Sequence, residues 1–305
     1  LGDVYKRQTQ NCTGMNAKTF LNLNGNNTPD LVVDVVNVCG TSQLFVFIDG
    51  NLKWKFNSPQ TNDREIVKGD FNEDGIDDIA MFGIGFDAMP FPGEKNYVIF
   101  FKKDSYEIKE LDNVNQFTHD GAVGDINNDG HLDIVPIPNQ NRDCYAFIND
   151  GKGNFTKKKI FDGAYTDNAF AADLYDINKD GNIDIILGGA EYASNSWNNP
   201  YTRALLGDGK GNFDITNPIN FPRIEGWGTI TDFDFGDLDG DGVDEIVVMR
   251  TSGSLSSATL TAPKKNPNGW YDDFRIQILK RSGNTYVQTQ LLSSPSGYEN
   301  TTFQW

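Results

Sequence analysis

The sequence predicts an all-β fold made of repeated units of four antiparallel strands. Two observations predict it. An acidic, glycine-containing segment recurs with first residues at 22, 70, 125, 176 and 237, and a period of about 50 residues is typical of repeat architectures. Short apolar runs follow each segment and glycine-rich turns separate further runs, which is the pattern of strands and hairpins.

Each repeat shows the same order of strands and turns. One strand leads into the acidic segment, a second follows it directly, and a variable connection leads to a third strand, a tight turn and a fourth. In the third repeat, for example, the last two strands are Tyr145 to Ile148 and Phe155 to Phe161, on either side of the turn DGKGN. Four antiparallel strands repeated radially are the blades of a β-propeller. Five blades are complete, and Thr301 to Trp305 would begin a sixth.

The acidic segment DLDGDGVDE at 237–245 indicates a metal site. Carboxylates at its first, third, fifth and ninth positions repel one another unless a cation lies between them. Ca²⁺ accepts six to eight oxygen ligands in a flexible shell, and a glycine at the sixth position permits the tight turn around it. The predicted side-chain ligands are Asp237, Asp239, Asp241 and Glu245.

Three further loops repeat this spacing, with asparagine at the third position and aspartate at the ninth. About four Ca²⁺ sites are therefore expected. The side-chain ligands predicted in these loops are Asp70, Asn72, Asp74 and Asp78; Asp125, Asn127, Asp129 and Asp133; and Asp176, Asn178, Asp180 and Asp184.

The first copy of the loop is degenerate. Asn22, Asn24, Asn26 and Asp30 keep the spacing, but three amides replace acids, so the loop carries one formal charge. We expect poor or no calcium affinity there, because affinity depends on ligand charge.

Two alternatives to these metal loops stay open to test. An EF-hand needs a glutamate at position twelve, where these loops carry Met81, Pro136, Leu187 and Val248, and apolar β-branched runs follow the loops in place of helices. A turn without metal is the second alternative, since Asp and Asn favour turns through their own side-chain hydrogen bonds.

The repeated motif resembles a known family. DxDxDGxxD followed by an apolar run and Gly188-Gly189-Ala190 or Phe82-Gly83 is similar to the FG-GAP repeat of integrin alpha-chain propellers, and the turns NDGKGNF and GDGKGNF resemble the related VCBS repeats of bacterial surface and secreted proteins. The resemblance covers about residues 15 to 305. It implies a calcium-binding propeller, usually of seven blades. It also implies backbone-carbonyl ligands at the seventh position, which holds Ile76, His131, Asn182 and Val243.

Composition excludes two classes of partner. The formal net charge of −17 argues against nucleic acid, which needs a basic surface. No apolar run approaches the roughly 18 residues of a membrane helix, so no membrane insertion is expected. Calcium loops with partial amide ligation suit millimolar calcium, hence an extracellular, cell-surface or periplasmic location. The oligomeric state is not indicated.

The chain ends and the cysteines give less information about fold and function. Residues 1–14 are expected to be non-native or disordered, because residues 3–8 (DVYKRQ) resemble a translated adaptor sequence, and 15–305 to be a propeller truncated at its C-terminus. Three cysteines are an odd number. Cys12 and Cys39 are a possible disulfide, and isolated buried thiols are the alternative.

The blade face opposite the metal loops is the predicted ligand surface. Its connecting loops carry the most sequence variation and hold aromatic residues among amides and carboxylates, which suits a glycan or a protein partner. The alternative is that these rings fill gaps between blades. The candidate ligand-binding residues are Tyr192, Trp197, Trp227, Trp270 and Tyr271.

Catalytic motifs are few, so the sequence favours a noncatalytic binding protein while leaving enzymatic activity open. The chain has two histidines, His119 and His131, and no phosphate loop or hydrolase signature. The alternative function is a polysaccharide lyase or hydrolase on a propeller scaffold, using paired carboxylates such as Glu191 and Glu225. A rigid spacer without a ligand is a third hypothesis.

Overall fold

The computed structural model describes residues 13–26, 28–37, 41–87, 89–163, 169–191, 202–224, 227–251 and 274–293. These segments contain twenty β-strands in five four-stranded antiparallel sheets. They include no helix with the length and apolar character that a membrane crossing requires. The predicted all-β fold class of four-stranded antiparallel blades is confirmed.

The chain divides into two compact units, Leu1–Gly163 and Ala164–Trp305. The first unit contains three sheets. The first sheet is β1 (Thr13–Leu21), β2 (Asp30–Asn37), β3 (Gln43–Ile48) and β4 (Asn51–Asn57). The second sheet is β5 (Asp63–Gly69), β6 (Asp78–Gly83), β7 (Tyr97–Lys102) and β8 (Ser105–Glu110). The third sheet is β9 (Thr118–Gly124), β10 (Asp133–Pro138), β11 (Cys144–Asn149) and β12 (Phe155–Phe161).

The second unit contains two sheets. The fourth sheet is β13 (Ala169–Tyr175), β14 (Asp184–Gly189), β15 (Arg203–Leu205) and β16 (Ile219–Asn220). The fifth sheet is β17 (Thr229–Gly236), β18 (Glu245–Thr251), β19 (Phe274–Ser282) and β20 (Thr285–Ser293). Strands in every sheet are ordered as they occur in the chain, so each connection joins neighbours.

Within each unit the sheets pack face to face through apolar side chains. The second strands are the most buried: every residue of β6 and β10 is buried, as expected for runs such as DIAMFG that lie inside the packed layers. Between the first two sheets, Val32, Ile66 and Met81 belong to one buried cluster. Between the last two, Ile186, Ile230 and Val248 belong to another.

The acidic loops connect the first and second strands of every sheet. The ninth loop residue begins the second strand and pairs with the last residue of the first strand, as Gly124 pairs with Asp133 in the third sheet. All five acidic loops therefore lie at the same end of their sheets, the end that also carries the turn between the third and fourth strands. We call it the loop end, and the other the opposite end.

Cys144 is a free, buried thiol, which confirms the expectation of an isolated thiol at that position. Cys12 and Cys39 lie outside the described residues, as do residues 1–12 at the N-terminus and the proposed sixth-blade segment 301–305. The predictions for them are unchanged.

Candidate metal centres at the loop ends

In the second, third and fourth loops each ligand-position side chain accepts backbone N–H groups of its own loop. In the third loop, Asp125 accepts from Asp129 at 3.0 Å and from Gly130 at 2.8 Å. Asn127 accepts from Asp129 at 3.1 Å, and Asp129 accepts from His131 at 3.0 Å. The loop is thereby wound around its own acidic side chains.

The other two loops contain the same hydrogen bonds at similar distances. The first-position carboxylates accept from the sixth-position glycines, Asp70 from Gly75 at 2.9 Å and Asp176 from Gly181 at 2.8 Å. Equal spacing in the sequence therefore gives equal geometry. The same hydrogen bonds would also form in a turn that binds no metal.

The loop backbone is left-handed at two positions. The sixth-position glycines have φ between +85° and +91°, and nothing lies within 4 Å of a β-carbon built on Gly75, Gly130, Gly181 or Gly242. Glycine is therefore required there for its backbone conformation and not for space. The fourth position is also left-handed, with φ +57° at Glu73 and Asn128 and +61° at Lys179.

The ninth-position carboxylates are the buried members of the loops. Asp78, Asp133 and Asp184 are each 0% exposed. Each accepts one N–H from its loop and one from the third strand or its end, as Asp133 does from Ile126 at 3.1 Å and from Asn149 at 2.9 Å.

The pKa values of these buried carboxylates are raised. Burial raises the pKa of Asp78 to about 7 and that of Asp133 and Asp184 to about 6. The other acids of the same loop raise it further, against the lowering effect of the backbone N–H donors. A cation among the oxygens would reverse the sign of that local field. Carboxylate, amide and carbonyl oxygens are the donor set that a hard divalent cation such as Ca²⁺ accepts.

The fifth loop brings three carboxylates together. Oxygen atoms of Asp237, Asp239 and Glu245 all lie within 4.8 Å of one another, the one such group of three or more acids, histidines or cysteines among the described residues. Lys280 of β19 lies against this loop, with its ammonium 2.5 Å from Asp239 and 2.6 Å from Asp241. The motif spacing does not point to this lysine, because Lys280 is far from the loop in the chain.

The first loop differs from the others in its amide donors. The side-chain NH₂ groups of Asn24 and Asn26 donate to the carboxylate of Asp49, at 3.0 and 2.8 Å. Asp30 accepts from Leu23 at 2.8 Å and from Asp49 at 2.9 Å. Asp49 was not among the predicted residues. It supplies an acceptor for the amide groups of this loop. The expectation that this loop binds calcium poorly stays a prediction.

Neighbouring loops contact each other within each unit. The ring of His131 contacts the carboxylate of Glu73, which joins the third loop to the second, and this contact raises the pKa of His131. Lys179 of the fourth loop contacts Asp244 of the fifth. The histidine that the sequence placed at a carbonyl-ligand position therefore also links two loops.

At the opposite end, the predicted ligand residues are mostly outside the described residues. Tyr192, Trp197, Trp270 and Tyr271 fall there, and so does Glu225. Trp227 is described: its ring is half-buried and the Arg275 guanidinium lies 4.4 Å from the ring centroid.

Glu191, the other acid considered for catalysis, is 2% exposed. It pairs with Arg250 at 2.8 Å and accepts a hydrogen bond from Thr202 at 2.6 Å. The Glu191 charge is thus neutralised within a buried ion pair. His119, the second histidine, has its pKa lowered to about 3 by burial and by Arg64.

Residues 125–187 match the family model of the FG-GAP-like repeat. This segment contains the third and fourth acidic loops, with the contacts described above. The chain therefore carries an FG-GAP-like repeat, and the predicted repeat relationship is confirmed for that segment. No curated protein matches the chain.

Solved structures share the fold at low identity. The biofilm matrix protein of V. cholerae is 16% identical, with a TM-score of 0.51 over 95% of this chain and 41% of that protein. The Aleuria aurantia lectin in complex with alpha-methyl-L-fucoside is 11% identical, with a TM-score of 0.50 over 93% of this chain and 80% of the lectin. These two matches support a propeller-type fold.

A rhamnogalacturonan lyase of Bacillus licheniformis is 16% identical, with a TM-score of 0.49 over 79% of this chain and 47% of the lyase. The chain thus spans less than half of the matrix protein and of the lyase.

Proposed function

We propose that this chain is a noncatalytic, calcium-stabilised propeller segment of a secreted or cell-surface protein, which binds a glycan or a protein through the opposite end of its blades. The calcium part rests on one observation: the same buried ninth-position carboxylate, with a raised pKa and acidic neighbours, occurs in three loops, and the fifth loop has a cluster of three acids. A divalent cation is the simplest partner for such oxygens.

The residues that would hold calcium are the side chains at positions one, three, five and nine of the second to fifth loops, with the seventh-position carbonyls. The ion would supply positive charge between two adjacent strands and no reaction chemistry. The protein's own part is to orient the carboxylates, which the backbone N–H donors already do. Binding to the folded state alone would then stabilise the fold by mass action.

The binding part rests on the fold comparison and on one aromatic side chain. A lectin and a biofilm matrix protein share the fold, which favours a glycan or a matrix component as the ligand class. Trp227 offers an aromatic ring at the opposite end, with the Arg275 guanidinium lying over it. Millimolar calcium affinity would suit an extracytoplasmic location.

Calcium removal tests the first part directly. The protein is stripped with EDTA, dialysed and melted with and without 2 to 5 mM Ca²⁺ (on the order of extracellular levels), and bound ions are counted by mass spectrometry. We expect about four bound ions and a higher melting temperature with calcium. Mg²⁺ at the same concentration is the control. An unchanged melting curve with no retained ion would refute the calcium sites and leave the metal-free turn.

A glycan array, probed with and without EDTA, tests the second part. Binding that Trp227→Ala weakens, while the calcium-dependent melting shift persists, would place the ligand at the opposite end. The matched control is Trp54→Ala, since Trp54 stacks on Phe101 in the core between the first two sheets. Absence of any retained glycan or protein ligand would favour the rigid spacer.

A further inference from the structure

The fifth loop differs from the other calcium loops in its charge. Its third position holds Asp239, where the second, third and fourth loops hold Asn72, Asn127 and Asn178. Its four ligand positions therefore carry four carboxylates against three in each of the others. A fourth carboxylate in the same small volume adds repulsion that the loop must neutralise.

Lys280 supplies a positive charge at that place. Its ammonium lies 2.5 Å from Asp239, 2.6 Å from Asp241 and 3.1 Å from Glu245. The lysine side chain is 22% exposed and that of Glu245 is 3% exposed. The buried Glu245 oxygen therefore faces the ammonium at ion-pair distance. One ammonium thus contacts three of the four predicted side-chain ligands of calcium in this loop.

The register of the sheets shows that this lysine is particular to the fifth blade. Ile246, the residue after the ninth loop position, pairs with Leu279. The equivalent pairs in the first four sheets are Leu31 with Phe47, Ile79 with Ile99, Ile134 with Phe147 and Ile185 with Leu205. The residue after each third-strand partner corresponds to Lys280. In the first four sheets these residues are Ile48, Phe100, Ile148 and Leu206.

The additional acid, Asp239, and the additional cation, Lys280 of β19, therefore occur together at the fifth loop. We propose that the Lys280 ammonium is the resident cation of the fifth loop: it neutralises Asp239, Asp241 and Glu245 in the calcium-free protein and must withdraw before a divalent ion enters. The fifth loop keeps its shape without metal and binds calcium more weakly than the second, third and fourth loops. Only the second half of this inference, the weaker calcium affinity of the fifth loop, rests on the proposed calcium function.

The physical reason is competition for the same oxygens. A lysine ammonium is a compact charge with three donors, and here it occupies oxygen atoms that calcium would need as ligands. Displacing it leaves the ammonium to find other partners, and the free energy of that step is subtracted from calcium binding. Charge count alone would predict the reverse order, with four carboxylates giving the tightest site.

Calorimetric titration of EDTA-stripped protein with Ca²⁺ tests the inference on the full chain. Wild type should show one binding step weaker than the rest. In Lys280→Met that step should tighten by about tenfold or more, since one competing unit charge is removed from within about 4 Å. In Asp239→Asn with Lys280→Leu, which restores the third-position asparagine and an apolar neighbour, the weak step should merge with the others.

Two lysine variants serve as controls. Lys179→Met removes a charge that contacts Asp244, a residue of the same loop outside the ligand positions, and should change the weak step less than Lys280→Met does. Lys95→Met removes a charge paired with Glu110 in the first unit and should leave all steps unchanged. Equal effects of Lys179→Met and Lys280→Met would show a general charge effect and overturn the proposal.

Melting in EDTA separates the two halves of the proposal. Lys280→Met should melt several degrees below wild type without calcium and regain most of that loss with it. If wild type binds no calcium, the proposed function fails, and the resident-cation role is judged by the EDTA melting curve. The proposal is contradicted if the Lys280→Met and Lys95→Met variants have the same melting curve in EDTA. It is also contradicted if the weak calcium step becomes weaker in Lys280→Met.

Discussion

The two ends of the blades are built in different ways. At the loop end, the hydrogen bonds within an acidic loop span two to seven residues and recur from blade to blade. Those accepted by Asp125 and Asp133 in the third loop recur at Asp176 and Asp184 in the fourth. At the opposite end, several polar contacts join segments that are far apart in the chain and have no counterpart in the neighbouring blade. Arg250 reaches Glu191 across 59 residues, and Arg142 donates to Asn115 at 2.6 Å and to Phe91 at 2.8 Å.

This difference separates local from tertiary control. A loop that closes on its own neighbours can be repeated by repeating the sequence, whereas a contact such as Arg250–Glu191 depends on where two distant segments meet. Substitutions at the two ends should therefore reduce the stability of the protein by different amounts.

The largest effect is expected at the buried ion pair of the second unit. Arg250 is 0% exposed and bonds Glu191, Gln277 and the backbone oxygen of Pro222. Arg250→Met leaves the Glu191 charge buried without its partner, so the free energy of unfolding should fall by about 3 to 5 kcal/mol. Urea unfolding in saturating calcium measures it.

The double variant Arg250→Met with Glu191→Met is the matched control for that pair. It removes both charges and should recover most of the loss, because the uncompensated carboxylate has gone. A single Arg250→Met variant within 1 kcal/mol (roughly the surface-pair range) of wild type would contradict the distinction between the two ends.

The second variant tests a carboxylate cluster at the opposite end of the first unit. Asp34 and Asp63 are each 0% exposed. Burial, followed by the charges of Asp34 and Glu94, raises the pKa of Asp63 to about 8, and Arg64 lowers it in part. Burial likewise raises the pKa of Asp34 to about 6.

An acid with a raised folded-state pKa binds its proton more tightly when folded. Its stabilising contribution is therefore complete below its unfolded pKa of about 4 and is lost as the pH rises through about 8. Asp63→Asn should flatten this fall and be more stable than wild type at pH 8 by on the order of 2 kcal/mol. Urea unfolding of both proteins at pH 5 and pH 8 measures it, with Asp104→Asn on the exposed surface as control. If the free energies of unfolding of wild type and Asp63→Asn change with pH in parallel, the carboxylate cluster does not cause the pH dependence.

The third variant removes a long-range hydrogen bond that the side chain of Asn149, at the end of the third strand of its sheet, makes to the second loop. The side-chain amide of Asn149 is buried and donates to the backbone oxygens of Phe71 at 2.8 Å and Leu132 at 3.1 Å. Asn149→Ala should destabilise the protein by about 1 to 2 kcal/mol, because buried carbonyls lose donors. Asn154→Ala in the exposed neighbouring turn is the comparison. A smaller loss from Asn149→Ala than from Asn154→Ala would contradict this account.

The smallest effect is expected within a loop. Gly130 has φ +91° and open space around it, so Gly130→Ala should cost about 1 kcal/mol from backbone strain alone. Gly236 also has open space but no left-handed conformation, so Gly236→Ala should be neutral or slightly stabilising. Thermal melting of both variants in EDTA measures the difference. Equal melting temperatures would mean that the backbone conformation at the sixth position carries no cost.

Equal turns do not always lead to equal strands. DGKGNF at 150–155 opens the seven-residue strand β12, whereas DGKGNF at 208–213 is followed by a fourth strand of two residues, Ile219–Asn220. In the fourth blade Asp214 accepts hydrogen bonds from the backbone of Thr216 at 2.8 Å and of Asn217 at 3.2 Å, and Pro218 follows. The side chain thereby diverts the backbone from the ladder.

The strand edges were predictable where the pattern was local. In the third repeat, the predicted third strand Tyr145 to Ile148 and fourth strand Phe155 to Phe161 match the structure to within a residue. The register shifts at the start of the first strands, as between Asp63 and Glu65 or between Ile230 and Asp232, had no sequence signal, because a bulge depends on how the next strand pairs.

The sequence by itself determined the period, the all-β class and the wound shape of the acidic loops, because all three follow from contacts between residues close in the chain. Tertiary structure alone decided which charges neutralise each other. Lys280, Asp49 and the Arg250–Glu191 pair became visible when strands distant in the chain were placed side by side. Electrostatic pairing depends on distance in space, and spacing along the chain does not encode that distance between separate strands.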